Sequence, residues 1–73
     1  MARFSKGEHV KFEAVSEQSG ESEWMWLLVD RSDDDRKLVF GKLDSEPIVL
    51  TDMRLGQELA VSYDNVRDHR SFD

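Results

Sequence analysis

The chain has 73 residues, 38% hydrophobic and 36% charged, with sixteen acidic against ten basic side chains and a formal net charge of -6. That length makes one domain, which hides only about 60% of its unfolded surface and leaves no room for a deep active-site cavity. No apolar run approaches the ~20 residues of a membrane span, the absence of cysteine excludes disulfides, thiol catalysis and thiolate metal sites, and the acidity opposes phosphate backbones and anionic lipid.

Gly7 to Val15 alternates, with Val10, Phe12 and Ala14 facing one way and His9, Lys11 and Glu13 the other, and reads as a first strand. Glu17 to Glu23, with Ser19-Gly20 at its middle, is an exposed connection. The most informative segment follows: six consecutive apolar residues, Trp24 to Val29, carry both tryptophans. A strand from about Glu23 to Asp30 puts Trp24, Trp26 and Leu28 on one face and Met25, Leu27 and Val29 on the other. Both faces are apolar, so both require cover, from a sheet curled into a barrel or from a partner outside it.

Arg31 to Arg36 has the Asp and Ser content of a hairpin loop, and Lys37 to Leu43 is a third strand in which Gly41 marks a bulge or sharp bend. Asp44-Ser45-Glu46-Pro47 is a turn, and Ile48-Val49-Leu50 reads as a short strand. Met53 and Leu55 are expected to plug one end of the core before a strand over Gln57 to Tyr63, on which Leu59, Val61 and Tyr63 share a face. Gly7 and Gly56 each precede an alternating strand with the same spacing of long polar and apolar residues. From Asp64 the chain is expected to form one helical turn, capped by Asp64 or Asn65, or an irregular tail tethered by Val66.

The order Glu23-Trp24-Met25-Trp26, Phe40-Gly41-Lys42-Leu43, Glu46-Pro47, Leu55-Gly56-Gln57 and Val66-Arg67-Asp68 resembles the YegJ-like group of small bacterial domains of unknown function. The resemblance spans about Gly7 to Asp68. The chain departs from it in being shorter and in having Leu27-Leu28 after the second tryptophan. It implies a compact β fold and brings no catalytic residue, since the group has no agreed activity.

Candidate chemistry is sparse. Asp33-Asp34-Asp35 lacks the alternating spacing and distal glutamate of a calcium loop, and Arg31, Arg36 and Lys37 balance its charge. His9 and His69 stand at opposite ends of the sequence with no spacing for a zinc set, and no serine occupies a nucleophile turn. Arg67, His69 and Arg70 form the one locally basic cluster, joined by Arg3 and Lys6 if the termini meet, but the patch is small: phosphate contacts need several unopposed cations, and Asp64, Asp68 and Asp73 are expected to neutralise this one in ion pairs worth little individually.

These observations predict an all-β domain spanning residues 1–73: a small, five-stranded, antiparallel, partly open SH3-like barrel with a short C-terminal helical turn or tail. Its core is expected over about 7–68, with 1–5 and 69–73 flexible. The expected role is that of a non-enzymatic protein-interaction or accessory module in the bacterial cytoplasm, without cofactor or metal and without membrane contact. Its partner would be another protein or a second copy, met through Trp24, Met25, Trp26 and Leu27. Two other readings stand beside it: a nucleic-acid-binding SH3 or OB-like domain, against which the charge speaks, and an acidic mimic or immunity-type inhibitor using Glu21, Glu23, Asp33, Asp34 and Asp35.

Overall fold

A computed structural model describes residues 3–70, which form one five-stranded antiparallel sheet in the order β4-β3-β2-β1-β5. The strands are β1 (His9–Val15), β2 (Ser22–Asp33), β3 (Leu38–Leu43), β4 (Glu58–Ser62) and β5 (Val66–Arg70), with a 3-10 turn, Tyr63–Asn65, between the last two. The sheet is not closed, and its strand order is compatible with the small, partly open SH3-like barrel expected from the sequence. β4 and β5 remain its edges.

Alternation decides the inside. Val10, Phe12 and Ala14 from β1, Met25, Leu27 and Val29 from β2, Val39 and Leu43 from β3, and Val61 with Tyr63 form one cluster, joined by Phe4 and Leu50. Met25, Leu27, Val10 and Val39 are entirely enclosed. Met53, Leu59 and Val66 pack against this cluster, whereas Leu55, expected to plug the core beside Met53, is exposed.

Sequence and structure part company elsewhere too. β2 runs on to Asp33, so Arg31, Ser32 and Asp33, expected in the hairpin loop, pair instead with Phe40, Val39 and Leu38. The fourth strand is not Ile48–Leu50, which is a bend. The backbone N–H groups of Ile48, Val49 and Leu50 all donate to the Glu23 carboxylate, at 2.9 to 3.2 Å, and an extended strand, whose successive N–H groups point to opposite sides, cannot do that. The tail is instead the fifth strand, and its 3-10 turn is capped by Ser62, whose hydroxyl accepts from the Asp64 N–H, rather than by Asp64 or Asn65.

The bulge lies across from the glycine that signals it. Val29 pairs with Gly41 and Arg31 with Phe40, so Asp30 of β2 is the extra residue, and Gly41 lets the two backbones approach. Finally, the N-terminal segment is packed. Phe4 is buried, its N–H donates to Ser32 Oγ and its carbonyl accepts from that hydroxyl, and its ring meets Tyr63 and His69 edge-on, so the core starts at Phe4. His69 and Arg70 lie in β5, paired with β1. Residues 1–2 and 71–73, also expected to be flexible, lie outside the described residues.

Candidate functional site

The outer face of β5, β1 and β2 is built from the residues that alternation turns away from the core. On β1 these are His9, Lys11 and Glu13, and on β2 Trp24, Trp26 and Leu28, in antiparallel register with His9 opposite Leu28, Lys11 opposite Trp26 and Glu13 opposite Trp24. Arg70 of β5 stands opposite His9. Trp24 is 51% exposed and Trp26 half-buried. Both tryptophans are therefore on the surface, and Met25 and Leu27, expected beside them in a contact, are sealed in the core and unavailable to any partner.

Cations cover the rings diagonally. The Lys11 ammonium sits 5.6 Å from the centre of the Trp24 ring, and the Arg70 guanidinium 5.2 Å from that of Trp26. Arg70 also lies 3.6 Å from Asp68, while among the described residues no carboxylate pairs with Lys11 or Lys42. The backbone of Trp26 is held from the opposite side: its N–H donates to Ser45 Oγ and its carbonyl accepts from the Asp44 N–H. A shallow cleft of about 210 Å³ opens beside its ring, between His9, Asp44 and Arg70.

Within that cleft His9 Nε2 is 2.7 Å from Asp44 Oδ2, and the other ring nitrogen is buried. The pair ties β1 to the end of β3, as His69 Nε2, 2.9 Å from Glu8 Oε1, ties β5 to the residue before β1. Glu8 also accepts the Ser5 N–H, and these bonds, that of Ser5 first, lower its pKa below the usual glutamate value.

The acidic candidates do not converge. Glu21 and Asp35 are exposed, but they flank opposite ends of the twelve-residue β2, a contour of roughly 36 Å at about 3.3 Å per residue. Glu23 grips the 48–50 backbone, and those N–H donors, Leu50 first, hold its pKa below the normal range. Asp33 accepts the N–H groups of Asp35 and Arg36 as an Asx turn closing the hairpin. Asp34 accepts the Tyr63 hydroxyl at 2.6 Å and the Arg3 N–H at 3.1 Å, which lowers its pKa. Burial, together with this bond, raises that of the Tyr63 phenol. Three of the five carboxylates thus hold the fold together.

The cationic roof of Lys11 and Arg70 was not anticipated from the sequence. Lys11 is legible as outward-facing on β1, but its ring partner depends on register, and Arg70 needed β5 to exist. No helix among the described residues is long and apolar enough to cross a membrane. No family model matches the chain, and neither the curated proteins nor the solved structures contain a match.

Proposed function

We propose that this protein is a non-enzymatic interaction module that binds a protein segment on the outer face of β5, β1 and β2, centred on Trp24 and Trp26. The observation that carries the reading is that the core is filled without either tryptophan. Trp24 is left half-exposed in a chain whose large side chains are scarce, and aromatic rings in such positions are preferred contact anchors. Val15, also exposed, ends β1 two residues beyond Glu13, which stands opposite Trp24.

The occupant is read from the charges. Lys11 and Lys42 lack carboxylate partners among the described residues, and Lys11 and Arg70 lie against the rings. A segment offering an apolar or aromatic side chain flanked by carboxylates would press on the tryptophans and accept from both cations. We place the module in the cytoplasm because it has no cysteine. We also keep its kinship with the YegJ-like domains as a proposal: the residues that carry the resemblance include Gly41 at the close strand approach, Leu43 in the core and Val66 against it.

The test compares the wild-type chain with Trp24→Ala and Trp26→Ala as baits in extract of the source cells. It is paired with a fluorescence titration against acidic, aromatic-containing peptides and single-stranded oligonucleotides. Partners and peptide response that vanish in the tryptophan variants but survive Lys37→Gln at the hairpin uphold the reading. Identical partner sets for all baits would sink it, and a salt-sensitive response to oligonucleotide alone would replace it with nucleic-acid binding.

A further inference from the structure

The two ends of the described chain meet at a second depression, of about 250 Å³, lined by Arg3, Phe4, Val66, Arg67, Asp68 and His69. It is separate from the tryptophan cleft in its lining. Its base is ordered: Phe4 is buried and held edge-on between Tyr63 and His69, with ring centres 5.1 and 5.0 Å away. What marks it on a protein of net charge -6 is that two arginines line the same depression. The Arg3 guanidinium lies 5.5 Å from the centres of both the Phe4 and Tyr63 rings. Arg67 Nη1 donates to the main-chain carbonyl of Asp64 at 2.6 Å.

Neither contact is an ion pair, although after the Tyr63 hydroxyl bond the Arg3 charge also reaches Asp34 and helps to lower its pKa. Among the described residues no carboxylate forms an ion pair with either guanidinium, although four are close in the fold. Asp68 accepts the His69 N–H and faces Arg70. Glu8 is on His69 and the Ser5 N–H, and Asp34 on the Tyr63 hydroxyl and the Arg3 N–H. Asp64 offers Arg67 its carbonyl. Arginine retains most of its five N–H donors in such an arrangement, in a planar fork suited to oxyanions. One guanidinium satisfies a carboxylate; two at one depression match a doubly charged group with three terminal oxygens.

We propose that this depression binds the phosphate group of a small phosphate monoester, with Arg3 and Arg67 as its ligands. His69, whose Nε2 lies 2.9 Å from Glu8 Oε1, forms part of its wall. The site rests on a different observation from the tryptophan face and is independent of it.

The test is an amide-resolved NMR titration with inorganic phosphate and with glycerol 3-phosphate, at constant ionic strength and above pH ~6, where the second phosphate proton is lost. Saturable shifts at Arg3, Arg67 and their neighbours are expected. Arg3→Gln and Arg67→Gln should each weaken binding about tenfold or more, the usual worth of a charged hydrogen bond, while Trp24→Ala leaves it unchanged. Arg36→Gln makes the same change in net charge at the exposed hairpin and should have no such effect. Shifts that never saturate, binding retained in the double arginine variant, or equal weakening by Arg36→Gln would each overturn the proposal. Should Arg3→Gln disturb the seat of Phe4, Arg67→Gln alone decides.

Discussion

Gly41→Ala tests whether the close approach of β2 and β3 shapes the barrel. A Cβ built on Gly41 falls 2.1 Å from the carbonyl oxygen of Leu28, 2.9 Å from its carbonyl carbon and 3.1 Å from Leu27 Cγ. Contacts below 3.0 Å are essentially never seen, so the strands must part by about 0.9 Å (3.0 minus 2.1), enough to stretch a 2.9 Å hydrogen bond beyond its useful range. The obstacle is backbone, which cannot rotate aside. The cost therefore falls at the upper end of the overpacking range, about 3 kcal/mol. A chain of 73 residues has only about 4–11 kcal/mol in total at typical per-residue stability. With a urea slope near ~1 kcal/mol/M, the midpoint should fall by about 3 M in urea unfolding followed by far-UV circular dichroism. Gly20→Ala is the control, since Gly20 has a positive φ of 75° and nothing within 4 Å of its virtual Cβ, so it carries only the left-handed penalty of about 1–2 kcal/mol. The reasoning is refuted if Gly41→Ala costs no more than Gly20→Ala.

The same unfolding assay should separate the two faces of β2, with Leu27→Ala losing about 2–5 kcal/mol and Trp24→Ala staying within about 1 kcal/mol of wild type. Glu23→Gln should speed hydrogen exchange at the amides of Ile48, Val49 and Leu50 while leaving the β1 and β2 amides protected; equal acceleration everywhere would mean that Glu23 supports the whole barrel. Because the pKa values of Glu8, Glu23 and Asp34 are lowered in the fold, their contribution is present above the unfolded carboxylate range near pH ~4. It is lost as pH falls through the folded values, so acid unfolding monitored by circular dichroism should shift to higher pH in Asp34→Asn. Tyr63 has the opposite sign. Its raised pKa gives a contribution present below pH ~10 and lost as pH rises through the folded value, and ultraviolet titration should find the phenol ionising earlier in Asp34→Asn.

Strands with one buried face were legible because period-two alternation survives in Gly7 to Val15 and Gln57 to Tyr63. Gly7 and Gly56, matched in the sequence, both adopt positive φ just before a strand. The segment Trp24 to Val29 showed a strand but not its orientation, since both faces are apolar; the choice is made by β1, whose inward residues Phe12 and Val10 stand opposite Met25 and Leu27. Ile48-Val49-Leu50 has strand composition, and a carboxylate 25 to 27 residues earlier overrides it. β5 was hidden for the converse reason. Val66 is its only partly buried residue and the other four are exposed, so an edge strand held mainly by backbone pairing leaves almost no hydrophobic pattern. The meeting of Arg3 with Arg67 and His69 was foreseen only on the condition that the termini meet, and it is β5 and the seat of Phe4, both expected to be irregular or flexible, that bring it about.

The two protein-binding readings of this chain make different demands on its charges. An acidic mimic requires free carboxylates close together, because attraction to a basic partner falls off within about a Debye length, near 8 Å at physiological salt. Glu23 accepts three N–H groups of its own chain, and Asp33 and Asp34 each accept two donors on one oxygen. The exposed pair, Glu21 and Asp35, is divided by the length of β2. Their charge remains, but the two clusters, Glu21 with Glu23 and Asp33 to Asp35, flank opposite ends of β2 and form no single acidic surface. The tryptophan face needs no rearrangement beyond lifting Lys11 from Trp24 and Arg70 from Trp26, contacts worth only about 0.5–1 kcal/mol each at exposed positions. Of the two, the outer sheet face is the single surface a partner can occupy.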